Sequence, residues 1–509
     1  MELTWALLAS AYLALLALIT KVFYKKRPLR KLPPGPKPWP IIGNLNVNLL
    51  SSIPHQSLHI LSKQYGDIMQ LKFGNYHIIV ASSPEMAKMF LRTHDKVFAT
   101  RPALAAGKHI GYEYSDVAWA PFGPYWQQAR AFYQHEVFSD RKLDSSEFIR
   151  VEEMRNLFSR LHSLSGKPVV LKDHLMHCKL SSINRMLLSN KYFSESKNEI
   201  SILELDEIRE MLQEWFSLHG MINVGDWIPW LSFFDVQGYV KRMKELRWKL
   251  DRFLDYVIDD HLARKGERDF VPRDVADVLL RLAEDPKLRV QLTMDGVKGL
   301  LLDLIAGTTH TTAVLVEWAV HEMMRQPHII KKAREEIHRV IGINRWVDEN
   351  DFSQLPYLEA IIMETLRLHP PGTILTRYAM EDCNVAGYDI SKGTTVFINT
   401  WGIARDPNLW ESPTEFSPER FLGKNMDMMM GHNFSVLPFG SGSRRCAGYK
   451  LALRVARSML GNLLHGFNWK LPDGMKTEDV CLEEQYGLTT HPKVPIAIIM
   501  EPILSVHLY

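Results

Sequence analysis

Phe439-Gly440-Ser441-Gly442-Ser443-Arg444-Arg445-Cys446-Ala447-Gly448 sets a cysteine at the end of a glycine-rich loop, and Tyr449-Lys450-Leu451-Ala452-Leu453-Arg454-Val455-Ala456 continues it with helical character. A thiol at that junction meets free amides and the positive end of a helix, and both lower its pKa. Gly440, Gly442 and Gly448 let the backbone wrap closely around something flat and bulky. Gly440-Ser441-Gly442 opens like a dinucleotide loop, but Arg445 stands where the third glycine belongs, and no phosphate-binding G-K-S/T follows. A buried inert cysteine would need neither arginine. Arg444 and Arg445 suit carboxylates, such as the propionates of a haem.

The rest of the 509 residues supports a large folded body. With 46% apolar and 23% charged residues the chain can bury a substantial core, which argues against disorder, collagen and coiled coil. Lys plus Arg (61) nearly balance Asp plus Glu (58), leaving +3, too even for a chain that wraps nucleic acid. Cys178, Cys383, Cys446 and Cys481 show neither C-x-x-C zinc spacing nor disulfide density, so a reducing compartment is expected.

Residues 3–20 carry no charge and the apolar run resumes through Tyr24, about the length that crosses the hydrocarbon of a bilayer. Glu2 precedes the run and Lys25, Lys26, Arg27, Arg30 and Lys31 follow it, the reverse of a cleaved signal peptide. Residues 1–24 are therefore predicted to be a single-pass anchor, with the bulk of the chain cytosolic. Residues 25–40, with six prolines in the stretch, read as a stiff stalk. Residues 41–509, without repeat or second linker, are expected to form one domain, mostly α with small β-sheets. Helical patterns dominate residues 85–369. Strands are predicted near residues 68–80, 384–397 and 494–500, and a long helix over 296–325.

Phe439, Gly442, Arg444, Cys446 and Gly448 match F-x-x-G-x-R-x-C-x-G, the haem loop of the cytochrome P-450 family. The resemblance covers nearly the whole chain, anchor and stalk included, and is strongest to plant microsomal A-type enzymes of the flavonoid 3'-monooxygenase-like group. It implies the family's fold, haem b (iron protoporphyrin IX) as cofactor, and Cys446 as axial thiolate, the metal ligand. Trp126 and Arg130 resemble the family's W-x-x-x-R and Arg377 another propionate ligand, with Thr376 where many plant relatives carry proline. Glu364-Thr365-Leu366-Arg367 and Pro418-Glu419-Arg420-Phe421 resemble the segments that supply a structural triad, Glu364, Arg367 and Arg420.

The distal helix departs from the pattern. Ala306-Gly307-Thr308-Thr309-His310-Thr311-Thr312 stands where the family has [AG]-G-x-[DE]-T, in which an acid and a hydroxyl pass protons to the oxygen being activated. Thr311 keeps the alcohol and His310 replaces the acid, so both are candidate catalytic residues. Histidine titrates near neutrality and is able to shuttle protons itself, or to leave the relay to water. Threonine hydroxyls that take i−4 carbonyls are expected to loosen this turn. The altered relay would favour carbon–carbon cleavage, ring formation or desaturation over plain hydroxylation.

The resemblance places the substrate pocket at 101–123, 215–221, 301–312, 371–375 and 487–490, and their largely apolar and aromatic residues suit a lipophilic plant metabolite, phenolic, terpenoid or alkaloid. Arg101 is read as structural, with a polar anchor for substrate as the alternative, and the 426–430 methionine run as a surface loop. Lys450 and Arg454 are read as a basic docking face typical of the family, with a solvated helix face as the rival. Nothing resembles a flavin or nicotinamide fold, so the resemblance implies electrons from NADPH through NADPH-cytochrome P-450 reductase, on the endoplasmic reticulum membrane. The expected activity is that of a monooxygenase. The alternatives are a haem-thiolate isomerase or dehydratase that needs no reductase, and a non-catalytic haem sensor.

Overall fold

The computed structural model describes residues 31–45, 53–189, 192–194, 203–265 and 271–509. The anchor at residues 1–24 and the first part of the stalk lie outside the described residues. Residues 31–40 hold no helix, as their prolines dictate. They are nonetheless tied to the body: the Lys31 carbonyl accepts the Asp389 N–H and the Pro34 carbonyl accepts the Gln70 N–H, both at 2.8 Å.

The helices that shape the site are α1 (Pro124–Phe132), α2 (Leu171–Leu188), α3 (Leu205–Gly220), α4 (Tyr239–Lys265), α5 (Val275–Ala283), α6 (Met294–Arg325), α7 (Pro327–Ile341), α8 (Pro356–Leu368) and α9 (Tyr449–Gly466). Helix α6 is apolar on nearly every side and runs through the core against α2 and α9. Among the described residues it alone is long and apolar enough to cross a membrane, and it is buried inside the protein. Its start is fixed by Thr293, whose hydroxyl accepts the Gly296 N–H at 3.1 Å. Helix α8 begins at Pro356 and is capped from outside: the Glu336 carboxylate on α7 accepts the N–H groups of Tyr357 and Leu358 at 2.9 and 3.1 Å.

Small sheets flank the helices. Ile68–Phe73 (β1) and Tyr76–Ala81 (β2) form an antiparallel hairpin in which Phe73 faces Tyr76. Gly74 turns the chain between them at φ +54°, where a Cβ would lie 2.1 Å from the Trp227 carbonyl oxygen. A three-residue strand, Pro168–Val170 (β3), was not expected within the helical region. Ile374–Tyr378 (β4) and Thr395–Asn399 (β5) complete the four-stranded sheet in the order β1-β2-β5-β4, with β2 and β5 parallel. Phe467–Lys470 (β6), Ala497–Pro502 (β7) and β3 make a three-stranded antiparallel sheet. The last strand begins later than expected because Pro492 and Pro495 lack the N–H that a ladder needs.

Two buried carboxylates in the core have opposite surroundings. Glu364 receives Arg367 at 2.6 and 2.8 Å, Arg420 at 2.9 Å and the Ser417 N–H at 2.9 Å. Arg367 gives its remaining donors to the carbonyls of Ala404, Pro413 and Glu415. All five N–H groups of Arg367 and both oxygens of Glu364 are thus bonded, the condition for burying the pair. Glu317 on α6 is as deeply buried, but neither of its carboxylate oxygens has a hydrogen-bond partner. Burial pushes its pKa up to about 7, with Lys172 pulling it down and Asp173 pushing it further up.

Two outcomes follow from this contrast. Arg367→Met leaves the buried Glu364 Oε2 without a donor and is expected to cost about 3–5 kcal/mol of stability by thermal or denaturant unfolding. For Glu317 the folded state holds its proton to higher pH than the unfolded chain does, from the ordinary 4.5 up to about 7. Stability from this group therefore falls as pH rises across that interval, by about 3 kcal/mol. Glu317→Gln should remove the loss, so the variant gains on the parent between pH 4.5 and 7; an unfolding free-energy difference that is flat with pH would contradict this.

Candidate active site

The loop quoted at the outset closes on itself through the Cys446 N–H, which donates to the Phe439 carbonyl at 2.9 Å. Gly442, at φ +71°, is wedged where a Cβ would meet the Leu91 carbonyl oxygen at 2.2 Å and Asp95 Oδ1 at 2.4 Å. Asp95, which nothing in the sequence singled out, accepts the Ser443 N–H at 3.0 Å and the Ser443 hydroxyl at 2.5 Å, pinning the loop from behind. The loop then runs into α9, whose first turn at Gly448 has no side-chain cap.

Cys446 opens onto a cavity of about 360 Å³, within the usual range for a small-molecule site. Phe439, Arg445 and Gly448 line it on the loop side, and Leu304, Gly307, Thr308, Thr311 and Thr312 line it on α6. The low pKa expected for the thiol is not found. Burial pushes the thiol up, against the pull of the Gly448 N–H, Arg130 and Arg445. The sulfur itself stays open to the cavity, and a bound metal ion deprotonates a coordinating thiol outright.

Arg101, Arg377 and Arg444 converge on one wall of this cavity. Burial lowers all three, Arg101 to about 10 and Arg444 to about 9; Arg377 and Arg444 are lowered further by the other guanidiniums of the group. Because a guanidinium keeps its proton in proteins, these shifts express a demand for negative charge. Two carboxylates meet only part of it, Asp303 in the cavity lining and Asp116 outside it. Asp303 on α6 accepts the Val117 N–H at 3.2 Å, and Asp116 accepts the Trp119 N–H at 2.6 Å. Burial pushes both up, Asp303 to about 6. The remaining positive charge fits the two carboxylates of haem b, and with a cysteine sulfur opposite the helix the donor set fits that cofactor as a whole.

Two expected contacts are corrected in detail. The Trp126 indole N–H is spent on the Val117 carbonyl at 3.1 Å, so it is not offered to a propionate. Instead the ring lies beneath Arg444, with the guanidinium 4.4 Å from its centroid. Arg444 itself donates to the carbonyls of Ala99, Val117 and Ala120. Arg130 lines the cavity and donates to the Arg445 carbonyl at 2.6 Å. Arg101, taken above as structural, faces the cavity while bonding the carbonyls of Ala118 and Thr376.

On the distal side Thr308, Thr309 and Thr311 donate to the carbonyls of Leu304, Ile305 and Gly307 at 2.6, 2.6 and 2.8 Å. The helix absorbs these bonds without interruption. Thr311 faces the cavity, as expected. His310 does not: it is absent from the lining, and its ring stacks on Phe216 with centroids 4.4 Å apart. Its Nδ1 is buried without a partner, and burial, with Lys172 and His491 nearby, lowers its pKa well below the ordinary value. A neutral imidazole packed behind an aromatic ring is not placed as the proton donor expected at this position.

Two surface expectations also change. Lys450 pairs with Asp140 at 2.6 Å, and Arg454 with Asp144 at 2.6 Å and Glu349 at 3.4 Å, which neutralises the proposed basic face. The methionine run forms a short turn in which Met429 and Met430 are buried in the core.

With this geometry in place, likeness to known proteins gives the family. Residues 33–498 match the profile described as cytochrome P-450. A trimethyltridecatetraene synthase from Zea mays is 42% identical, covering 95% of this chain and 91% of that one. A dimethylnonatriene synthase from the same plant is 40% identical over 100% and 98%, and a flavonoid 3'-monooxygenase from Petunia hybrida is 40% identical over 97% of each. A zebra fish cytochrome P-450 solved with progesterone superposes with a TM-score of 0.75 at 25% identity, covering 89% of this chain and 100% of that one. Cys446 at the mouth of its glycine loop, the arginine wall and the whole-length likeness agree: the chain belongs to the cytochrome P-450 family of haem monooxygenases.

Proposed function

We propose that this protein is a membrane-anchored monooxygenase that oxidises an acyclic, terpenoid-type metabolite with dioxygen and electrons relayed from NADPH by NADPH-cytochrome P-450 reductase. The observation that carries the reading is a cysteine thiol and an arginine wall opening onto one apolar cavity beneath the threonine face of α6. Cys446 would be the iron ligand, and Arg101, Arg377 and Arg444 would hold the haem carboxylates, with Arg130 beside them and Trp126 positioning Arg444. Haem b, when bound, supplies the iron centre that activates dioxygen.

The chain's own residues then position substrate and handle protons. Gly307 has no atom within 4 Å of where a Cβ would stand, so its face of α6 is left open toward the cavity it lines. Thr311 Oγ1 rests on the Gly307 carbonyl and by rotating can hold or pass a proton at that face. His310 backs Phe216 and shapes the wall instead of moving protons.

Trp215, Phe216, Leu304, Leu375 and Leu488 supply apolar contact, while Thr308 and Thr311 spend their hydroxyls on their own helix. Such a wall offers little to the hydroxyls of a polyphenol and suits a hydrocarbon chain. Two of the relatives are named for open-chain polyenes without oxygen. A product of that kind requires bond cleavage or desaturation in place of simple hydroxylation, the outcome favoured by a distal helix without its acid.

A second cavity continues from the first through Arg101, Ala118, Gly372, Leu375 and Leu488 and is lined further out by Met221, Ile222 and Trp227. Trp230, Phe233 and Phe234, which follow Trp227 in the chain, are 61, 88 and 66% exposed. Trp39 and Ile41 are equally bare, and their neighbour Ile42 packs in the same small core as Leu231. An exposed aromatic patch beside the entrance fits a protein lying on the endoplasmic reticulum membrane and drawing a lipophilic substrate from it.

Microsomes carrying the protein and a reductase should convert acyclic terpenoids, but not flavanones, only when NADPH is added. Turnover without reductase would replace this reading with an isomerase or dehydratase, and flavanone hydroxylation would replace the substrate class. Thr311→Ala should divert electrons to hydrogen peroxide and lower product per NADPH about tenfold or more. His310→Ala should leave that coupling within about twofold, the opposite of what a general acid at this position would give.

A further inference from the structure

Away from the haem cavity, His261 near the end of α4 meets Asp274 and Asp277 at the start of α5. All three are buried, and one ligand-type atom from each lies within 4.8 Å of the other two. We infer that they form a structural zinc site.

The hydrogen bonds around the cluster leave Asp277 Oδ1 free and hold His261 Nε2 only to Asp274. His261 Nδ1 is 2.7 Å from the Val257 carbonyl, which fixes the proton on Nδ1. Its Nε2 faces Asp274 Oδ2 at 3.1 Å, a contact that either a second imidazole proton or a metal ion can bridge. Asp274 uses Oδ1 to cap α5, accepting the Asp277 N–H at 2.9 Å. Asp277 uses Oδ2 to accept the Arg273 N–H at 3.0 Å. Its Oδ1 is buried with no hydrogen-bond partner, in a residue only 2% exposed.

A second proton on His261 would satisfy Asp274 and leave that Asp277 oxygen bare. A divalent ion satisfies both carboxylates at once and makes the cluster neutral. Zinc matches the donor types: one imidazole and two carboxylates bind it at about 2.0–2.2 Å, with a water completing the tetrahedron. Magnesium and calcium need six or more oxygens, more than this pocket supplies. Each ligand is also oriented by a bond from its other polar atom, as metal ligands usually are. The ion would tie the last turns of α4 to the first turn of α5.

The test is metal counting on the haem-loaded protein, carrying no histidine tag, stripped with EDTA, incubated with zinc chloride and desalted. Mass spectrometry of the metals should give about one zinc per haem iron. Asp277→Asn, which keeps the size and the backbone bond, and His261→Asn should each lose it while keeping the carbon monoxide difference band. Less than about a tenth of a zinc per iron, or equal uptake by both variants, overturns the site. If neither variant takes up haem, cobalt(II) in the wild type decides: a tetrahedral d–d band without thiolate charge transfer supports the site. A thiolate band or no band places the metal elsewhere and ends the proposal.

Discussion

Three arginine side chains buried beside one another set the terms for everything around the cavity. Guanidinium groups stay charged, and packing like charges away from water is costly unless something answers them. The protein answers in part with backbone carbonyls: Arg444 binds those of Ala99, Val117 and Ala120, Arg101 those of Ala118 and Thr376, and Arg377 that of Thr376. These bonds join the 99–120 segment to β4 and to the cysteine loop. Arg444 stands two residues before Cys446, so the same bonds that spread the charge also fix where the sulfur points. The part left unanswered is what two carboxylates of a cofactor would neutralise, which makes folding of this wall and loading of haem two aspects of one electrostatic balance.

That balance explains which parts of the site are legible in the sequence. The ten residues from Phe439 to Gly448 encode their own geometry, because their glycines and their cysteine act within one turn of chain. The α6 helix is equally plain from its apolar run, and the Glu364, Arg367 and Arg420 triad from its motifs. Other features depend on what lies opposite, and no local pattern announces that. Arg101 is an isolated arginine until β4 brings Arg377 beside it. Lys450 and Arg454 are a basic stripe until Asp140, Asp144 and Glu349 arrive from other elements. The thiol of Cys446 has the expected amide, but its pKa is decided by burial, a property of the whole fold.

Glu364 and Glu317 show how the same residue type can serve opposite ends in one core. Glu364 is saturated with donors from three segments, which fixes α8 against the chain that leads into the haem loop. Glu317 has none, and its burial is supported only by apolar packing along α6. A saturated carboxylate stays ionised and rigid. A bare one holds its proton to near neutrality and lowers the stability of the helix that carries it.

The same helix bears the threonine face, and there the loss of the acid has a consequence for the cavity as a whole. In a helix with an aspartate or glutamate at position 310, a charged or hydrogen-bonding group would compete for the cavity surface. With histidine, the ring finds a better place against Phe216, where stacking and burial keep it neutral and out of reach. What remains facing inward around that turn is Gly307 and Thr312 together with the Thr308 and Thr311 hydroxyls bonded to their own backbone, one turn past Asp303 and Leu304. One substitution therefore alters two properties together: it removes a local proton source, and it makes the distal wall less polar. Both changes support the proposal of a hydrocarbon substrate and of chemistry other than plain hydroxylation.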